Sequence, residues 1–222
     1  MQSPYSPGRL FAFVVILAIL VAVIQVGAIT IAFDKLGLSS SSAYLLLFAS
    51  LFGSAINLPL FQMHSSGPVE PVEPVRAWGI LRPPPRKFEG RTLVAVNVGG
   101  AIIPMAFSLY LLMAHSVGVL EVLTGIVVVS AVSRLASRPI SGLGIAMPIF
   151  IAPVTAALVA ILIDRAHSAP LAYISGTLGV LIGADVLRLK DIRRLGTPFA
   201  SVGGAGTFDG IFITGILAVL LA

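Results

Sequence analysis

The sequence has no cysteine and few charged residues. Without cysteine the chain can form neither a disulfide nor a thiolate metal site, and it has no thiol nucleophile. Only 10% of the 222 residues are Asp, Glu, Lys or Arg, whereas 57% are hydrophobic and the mean hydropathy is +1.04. A soluble globular domain carries about 25% charged residues. The composition therefore predicts an integral membrane protein rather than a soluble domain.

Histidines are also few, and their spacing does not suit a metal ion. His64, His115 and His167 each lie at the end of an apolar run, whereas a zinc-binding helix places two histidines one turn apart. The glycine-rich stretch GGAGTFDG lacks the Gly-Lys-Ser/Thr ending of a phosphate-binding loop. We therefore expect no metal and no other cofactor.

Apolar runs long enough to cross a bilayer of about 30 Å occur seven times. The first run is longer than the apolar core of a signal peptide, and no small-residue cleavage pattern follows it, so we interpret it as an uncleaved signal anchor. The sequence thus predicts an all-α polytopic membrane protein, with residues 1–222 forming a single transmembrane domain. The approximate limits of the predicted spans are 10–33, 43–63, 92–114, 117–133, 139–163, 169–187 and 207–222.

The basic residues predict the orientation of these spans. With seven spans, 12 of the 14 Lys and Arg residues fall on one face, and only Lys35 and Arg165 fall on the other. Cytoplasmic loops carry the excess of Lys and Arg, so we expect the N-terminus inside and the C-terminus outside. This placement explains the net charge of +5 without a nucleic-acid partner. The basic residues assigned to the cytoplasmic face are Arg9, Arg76, Arg82, Arg86, Lys87, Arg91, Arg134, Arg138, Arg188, Lys190, Arg193 and Arg194.

The longest predicted loop, residues 64–91, is rich in proline and contains GPVEPVEPVRAWGILRPPPRKFEG. Proline cannot donate a backbone hydrogen bond or continue a helix interior, so this loop should be an extended cytoplasmic connector. A docking role is the alternative, because proline-rich segments serve as ligands for other domains.

Two aspartates lie inside the predicted bilayer. Asp209 is thirteen residues from the end of the last span, which at 1.5 Å per residue places it about 10 Å inside the cytoplasmic boundary. Asp185 lies about 6 Å inside the same boundary by the same reasoning. The other carboxylates reach water at span ends or in loops; these are Asp34, Glu70, Glu73, Glu89, Glu121, Asp164 and Asp191.

Carboxylates in a membrane are costly, so they usually face a partner or a wet cavity and indicate function. The two spans that carry Asp185 and Asp209 are neighbours in sequence and should pack side by side. A pair of carboxyl groups in contact shares one proton at neutral pH. An aspartic protease needs this state, because one carboxylate activates water while the other polarises the scissile carbonyl.

This arrangement resembles the intramembrane aspartyl proteases of the Gly-x-Gly-Asp type, which include presenilin, signal peptide peptidase and the prepilin peptidases. The resemblance covers residues 169–222, in which Gly204-Ala205-Gly206 precedes Asp209 and the preceding helix ends at Asp185. It implies that Asp185 and Asp209 are catalytic and that the substrate is a membrane protein or resembles a signal peptide. As a whole, the chain also resembles uncharacterised prokaryotic polytopic membrane proteins, which implies the plasma membrane as its location.

The segment 198–206 should border the predicted active site. Its proline and glycines break the helix at both ends, so we expect a non-helical stretch whose backbone could pair with an extended substrate. Close helix packing by these glycines is the alternative. The helix-breaking stretches 97–104 and 139–144 fall at a similar depth. The predicted substrate-binding residues are Gly203, Gly204, Gly206, Thr207, Asn97 and Ser141.

Two other functions remain open at this point. Broken helices with carboxylates at one depth are also typical of secondary transporters, in which Asp185 and Asp209 would relay protons or bind cations. A membrane scaffold without catalysis is the third possibility. The outer halves of the last two spans carry hydroxyls and a tyrosine but no charge, which favours a site open to one side.

Overall fold

The computed structural model describes residue 15 and residues 26–65, 90–140, 144–193, 196–204 and 210–222. Helices dominate this part of the chain, as predicted, and short strands interrupt them. The helices are α1 (Val26–Lys35), α2 (Ser40–Gly53), α3 (Ile103–Ala114), α4 (Val119–Ala136), α5 (Ile151–Ile163), α6 (Ser168–Val180), α7 (Leu189–Ile192) and α8 (Gly210–Leu221).

Two of these helices continue as turns of a different pitch. Residues Val98–Ile102 form a π-helical turn that leads into α3, and residues Leu181–Asp185 form another at the end of α6. In a π-helical turn the backbone bonds span five residues, and such turns occur mostly as single insertions in α-helices. A short 3₁₀ segment, Val186–Arg188, then joins α6 to α7.

Two small sheets account for the strands. β1 (Asn57–His64) pairs antiparallel with β2 (Arg91–Asn97), and β2 pairs parallel with β5 (Phe199–Val202), so β2 is the central strand. β3 (Arg138–Ile140) and β4 (Gly144–Ala146) form a separate antiparallel hairpin.

These strands correct three of the predicted spans. Span 43–63 is helical only to Gly53 and then becomes β1, because Asn57 and Pro59 favour an extended backbone over a helix. Span 92–114 begins with β2, whose run TLVAV is rich in β-branched residues, and is helical only from Val98. Span 139–163 begins with the β3–β4 hairpin and is helical only from Ile151.

Within the described ranges, two helices are long and apolar enough to cross a membrane: Val119–Ala136, and the continuous helical segment Ser168–Ile192. A third candidate is the pair formed by α1 and α2, which is bent by 113° and is either a broken span or a re-entrant loop. The described helices therefore fit a membrane protein with two or three such spans.

The core forms around α6, which is almost entirely buried. α4 runs parallel to α6, because Gly125 and Val129 of α4 meet Ser175 and Gly179 of α6 in the same order. A Cβ atom on Gly125 would lie 2.9 Å from Ser175 Cβ, and one on Gly179 would lie 2.6 Å from Val129 Cβ. α8 runs antiparallel, because Ser168 Oγ donates to the carbonyl of Ala222 at 3.2 Å and Gly176 packs against Thr214 and Ala218. Small residues thus allow the helix backbones to approach closely.

Candidate functional site

Asp185 lies at the end of the π-helical turn in α6. Its carboxylate oxygen Oδ2 accepts a hydrogen bond at 2.8 Å from the backbone N–H of Gly203, eighteen residues later in the chain. A carboxylate that accepts a backbone N–H is held in a fixed orientation by a charge-assisted bond. This contact ties the broken end of α6 to the segment that leads into α8.

Gly203 can occupy its position only because it is glycine. Its φ angle is +82°, a region that L side chains rarely adopt. A Cβ atom there would lie 2.6 Å from Ala101 Cβ and 2.9 Å from the carbonyl carbon of Gly100. The backbone of this segment therefore rests directly on the π-helical turn that leads into α3, and the Asp185 carboxylate lies next to this contact.

Asn97 anchors the helix on which Gly203 rests. Its side chain is buried, and its oxygen Oδ1 accepts from the backbone N–H of Gly100 at 2.7 Å, which caps the start of the helix. Its nitrogen Nδ2 donates to the carbonyl of Ser54 at 2.7 Å and to Asn57 Oδ1 at 3.1 Å. Ser201 Oγ donates to the same Asn57 oxygen at 2.6 Å. This network fixes β1, β2, β5 and the end of α2 relative to one another.

β5 is an edge strand of the described sheet. It pairs with β2 on one side, and Val202 immediately precedes the glycine that binds Asp185. Edge strands present N–H and C=O groups to which a further extended segment can be added. The expectation of non-helical backbone at 198–206 is thus confirmed for Phe199–Val202.

Arg188 joins α4 to the end of α6. Its guanidinium donates to Ser137 Oγ at 3.1 Å, to the carbonyl of Arg134 at 2.6 Å and to the carbonyl of Ser137. It also donates to Asp191 Oδ2 at 3.0 Å, and this carboxylate lies 3.5 Å from Arg134 Nη2. Arg188 therefore binds the free carbonyls at the C-terminus of α4, where a positive charge is favoured.

The described acidic side chain at the other end of α6 has a different environment. Asp164 Oδ2 lies 2.8 Å from His167 Nδ1, and Asp164 Oδ1 accepts from the backbone N–H groups of Ala166 and His167. The side-chain hydrogen bond to His167, followed by the backbone bonds, holds the pKa of Asp164 below its usual value of 3.8. This carboxylate orders the turn between α5 and α6.

The structure brings some of the predicted site residues together. Asp185 binds Gly203, and Gly203 and Gly204 both have positive φ angles. Gly203 contacts the helical turn that Asn97 caps, so Asn97 supports the site from beneath and is only 1% exposed. Asp209, Gly206, Thr207 and Ser141 lie outside the described residues. Among the described residues, no group of three His, Cys, Asp or Glu side chains could hold a metal ion.

Sequence reasoning missed Asn57, Ser201 and Arg188 as parts of this arrangement. Asn57 falls inside the predicted span 43–63, and nothing in the local pattern of Ser201 signals a bond to a residue 144 positions earlier. Arg188 was counted only as a cytoplasmic charge. The run Arg188-Leu189-Lys190-Asp191 places an arginine and a carboxylate three residues apart, which is the one local signal of their ion pair.

No curated protein and no solved structure matches the chain. One family model matches residues 51–221, which include all the elements of the site from the end of α2 to α8. Because this match covers well over half of the sequence, the chain belongs to the family described as Protein of unknown function (DUF1614).

Proposed function

We propose that this protein is an intramembrane aspartyl protease of the cell membrane, with Asp185 and Asp209 as its catalytic pair. In this proposal the chain is inserted in seven membrane segments, with the N-terminus cytoplasmic and the C-terminus external. The observation that carries the proposal is the hydrogen bond from the Gly203 N–H to the Asp185 carboxylate. It ties Asp185 to the segment that ends at Asp209, six residues after Gly203.

The packing of α6 and α8 supports the pairing. Ser168 lies beside Ala222, and Gly176 lies beside Thr214, so α6 and α8 are in antiparallel register. Four residues further along, this register places the start of α8 level with Val180. Val180 is one π-helical turn before Asp185, and Asp209 immediately precedes the first residue of α8. In the proposal, Asp209 would therefore lie at the same end of this helix pair as Asp185.

The proposed reaction is direct hydrolysis of a peptide bond. The ionised carboxylate of the pair takes a proton from water, and the water oxygen attacks the scissile carbonyl carbon. The protonated carboxyl gives its proton to the carbonyl oxygen, which forms a tetrahedral diol. When the diol collapses, the protonated carboxyl gives its proton to the nitrogen, the C–N bond breaks and the amine leaves. One diol hydroxyl gives its proton to the ionised carboxylate at the same time, so the pair again shares one proton.

The edge of β5 that pairs with no strand in the described part of the chain suggests how the substrate is held. A transmembrane helix must unwind before its peptide bonds can be attacked, and the unwound segment needs partners for its backbone groups. Pairing with β5 would provide them and would lead the substrate past Gly203 and Gly204 to Asp185. We propose Gly206, Thr207 and Ser141 as further parts of this path, with a membrane protein or a signal-peptide-like segment as the substrate.

The absence of native cysteine gives a direct test of the carboxylate pair. We expect the two carboxyl groups to approach within about 7 Å, which allows one bridging water. In the double variant Asp185→Cys/Asp209→Cys, a short bifunctional thiol reagent should therefore cross-link the two positions, detected as an intact fragment after proteolysis between them. The matched control, Asp185→Cys/Ala222→Cys, places the thiols at opposite ends of the helix pair and should not cross-link. If both double variants remain uncross-linked, the pair does not form.

The proposed orientation has its own test. Reporter domains inserted in the loop 64–91 and in the segment 188–206 should both be cytoplasmic, and a reporter fused after Ala222 should be external. The physical reason is the concentration of Lys and Arg beside the first two positions. An external reporter at 64–91 would reverse the inferred depth of both aspartates and would contradict the proposed topology.

A further inference from the structure

Two buried serine hydroxyls on α4 lie beside the broken end of α6. Ser133 is fully buried and Ser130 is 6% exposed, and neither Oγ atom hydrogen-bonds to another group in the described part of the chain. Other buried serines bond to their own helix: Ser108 Oγ donates to the Pro104 carbonyl at 2.9 Å and Ser175 Oγ to the Leu171 carbonyl at 2.7 Å. Ser130 and Ser133 have no such bond.

Ser130 packs against the π-helical turn that ends at Asp185. Ser130 and Ser133 are three residues apart on α4 and therefore lie on one face of the helix. A Cβ atom on Gly183 would lie 2.3 Å from the carbonyl oxygen of Ser130, so the two backbones touch at this point. Because α4 and α6 run parallel, Ser133 is level with the residues that follow Gly183, and these include Asp185.

Buried hydroxyls in proteins are bonded to protein groups or to ordered water. A buried water needs two to four polar partners. The two serine hydroxyls supply two of them, and the backbone of a π-helical turn supplies more, since helices are distorted where water enters the ladder of bonds. The interface of α4 with the end of α6 therefore has the chemistry of a small hydration site.

We propose that Ser130 and Ser133 bind water at this interface and that this site delivers the water used in hydrolysis beside Asp185. The second half of the inference rests on the proposed protease function, whereas the first half does not. Delivery from within the protein would allow the reaction to proceed while the substrate shields the carboxylates from the cytoplasm.

The test uses the full-length protein, the double variant Ser130→Ala/Ser133→Ala, and Ser175→Ala as the control. Hydroxyl radicals made by X-ray irradiation arise from bound water as well as from bulk water. Val129 is fully buried, so hydroxyl radicals from bulk water do not reach its side chain. Oxidation of this side chain, the label that is measured, therefore reports a bound water nearby. We expect label on Val129 in the wild type, a severalfold loss in the double variant, and no loss in Ser175→Ala, whose hydroxyl is already bonded.

The kinetic readout separates delivery of water from simple packing. The double variant should cleave substrate with a lower kcat and an unchanged KM, because only the chemical step lacks its water. If removal of the hydroxyls instead raises the unfolding temperature and leaves the label on Val129 unchanged, the hydroxyls are dry and the hydration site is wrong. If the double variant loses the label on Val129 but keeps its kcat, the hydration site is present, and only the proposed delivery of its water to the reaction is wrong. If the wild type cleaves no substrate, the protease proposal fails, and the labelling still decides whether the water is there.

Discussion

Asp185→Asn and Asp209→Asn should each abolish cleavage of a co-expressed single-span substrate. Asparagine keeps the shape of the side chain and removes the acid, so neither variant can share a proton between the two positions. Members of one catalytic unit are not additive, and we expect each single variant and the double variant to lose about 10⁴-fold in kcat. The measurement is the rate of substrate cleavage by purified protein in detergent or proteoliposomes.

Asp164→Asn is the matched control for these variants. It removes a carboxylate at the opposite end of α6, where Asp164 binds the backbone N–H groups of Ala166 and His167 in the turn before the helix. It should leave cleavage near the wild-type rate. A transporter would give a different pattern: the wild type would cut no member of a diverse substrate panel, and proton or cation flux would disappear in Asp185→Asn and in Asp209→Asn. That result would replace the protease with the transporter.

Gly99→Ala should be the most destabilising change of a single methyl group in the described structure. Its Cβ atom would lie 1.9 Å from the carbonyl oxygen of Ser50 and 2.3 Å from the backbone nitrogen of Ser54. These are backbone atoms of α2 and its C-cap, which cannot rotate aside, so the two helices must separate. We expect a loss of about 3 kcal/mol in the free energy of unfolding, the upper part of the range for overpacked cores.

Gly27→Ala provides the control for this prediction. Gly27 lies in α1 with no atom within 4 Å of the position that its Cβ would occupy. Alanine there should stabilise the protein by about 0.5–1 kcal/mol through its better helix propensity. Unfolding of both variants can be followed by circular dichroism during denaturation in mixed detergent micelles. Equal stability of Gly99→Ala and the wild type would contradict the close crossing of α2 with the start of the α3 helix.

The helices in the middle of long apolar runs could be predicted from the sequence. The strands that replace parts of other runs, and the pairing of these strands into sheets, could not. Span 117–133 corresponds closely to α4, and span 207–222 to α8, because apolar residues dominate both and neither contains proline. The helix-breaking stretches 97–104 and 139–144 were recognised, but they were interpreted as interruptions within helical spans. An apolar run of strand length has the same composition whether it is a buried strand or part of a helix.

Long-range pairing explains why the sheet was missed. β2 and β5 are adjacent although about a hundred residues separate them, and no local pattern indicates that contact. At the site, Asp185 and the segment before α8 meet through Gly203. The conformation that permits this meeting depends on the positive φ of Gly203 and on the backbone of Gly100, and neither can be inferred from spacing alone.

The short helices have a consequence for the surrounding lipid. At 1.5 Å per residue, the 13 residues of α5 and the 12 of α8 rise only about 20 Å, against about 30 Å for the hydrocarbon core. In the proposed topology both helices cross the membrane side by side against α6, so hydrophobic mismatch must thin the bilayer along that flank. A substrate helix of ordinary length that approaches from this side would find its last turns outside the hydrocarbon. Those turns would then unwind in a hydrated headgroup layer, where freed N–H and C=O groups can bond to water.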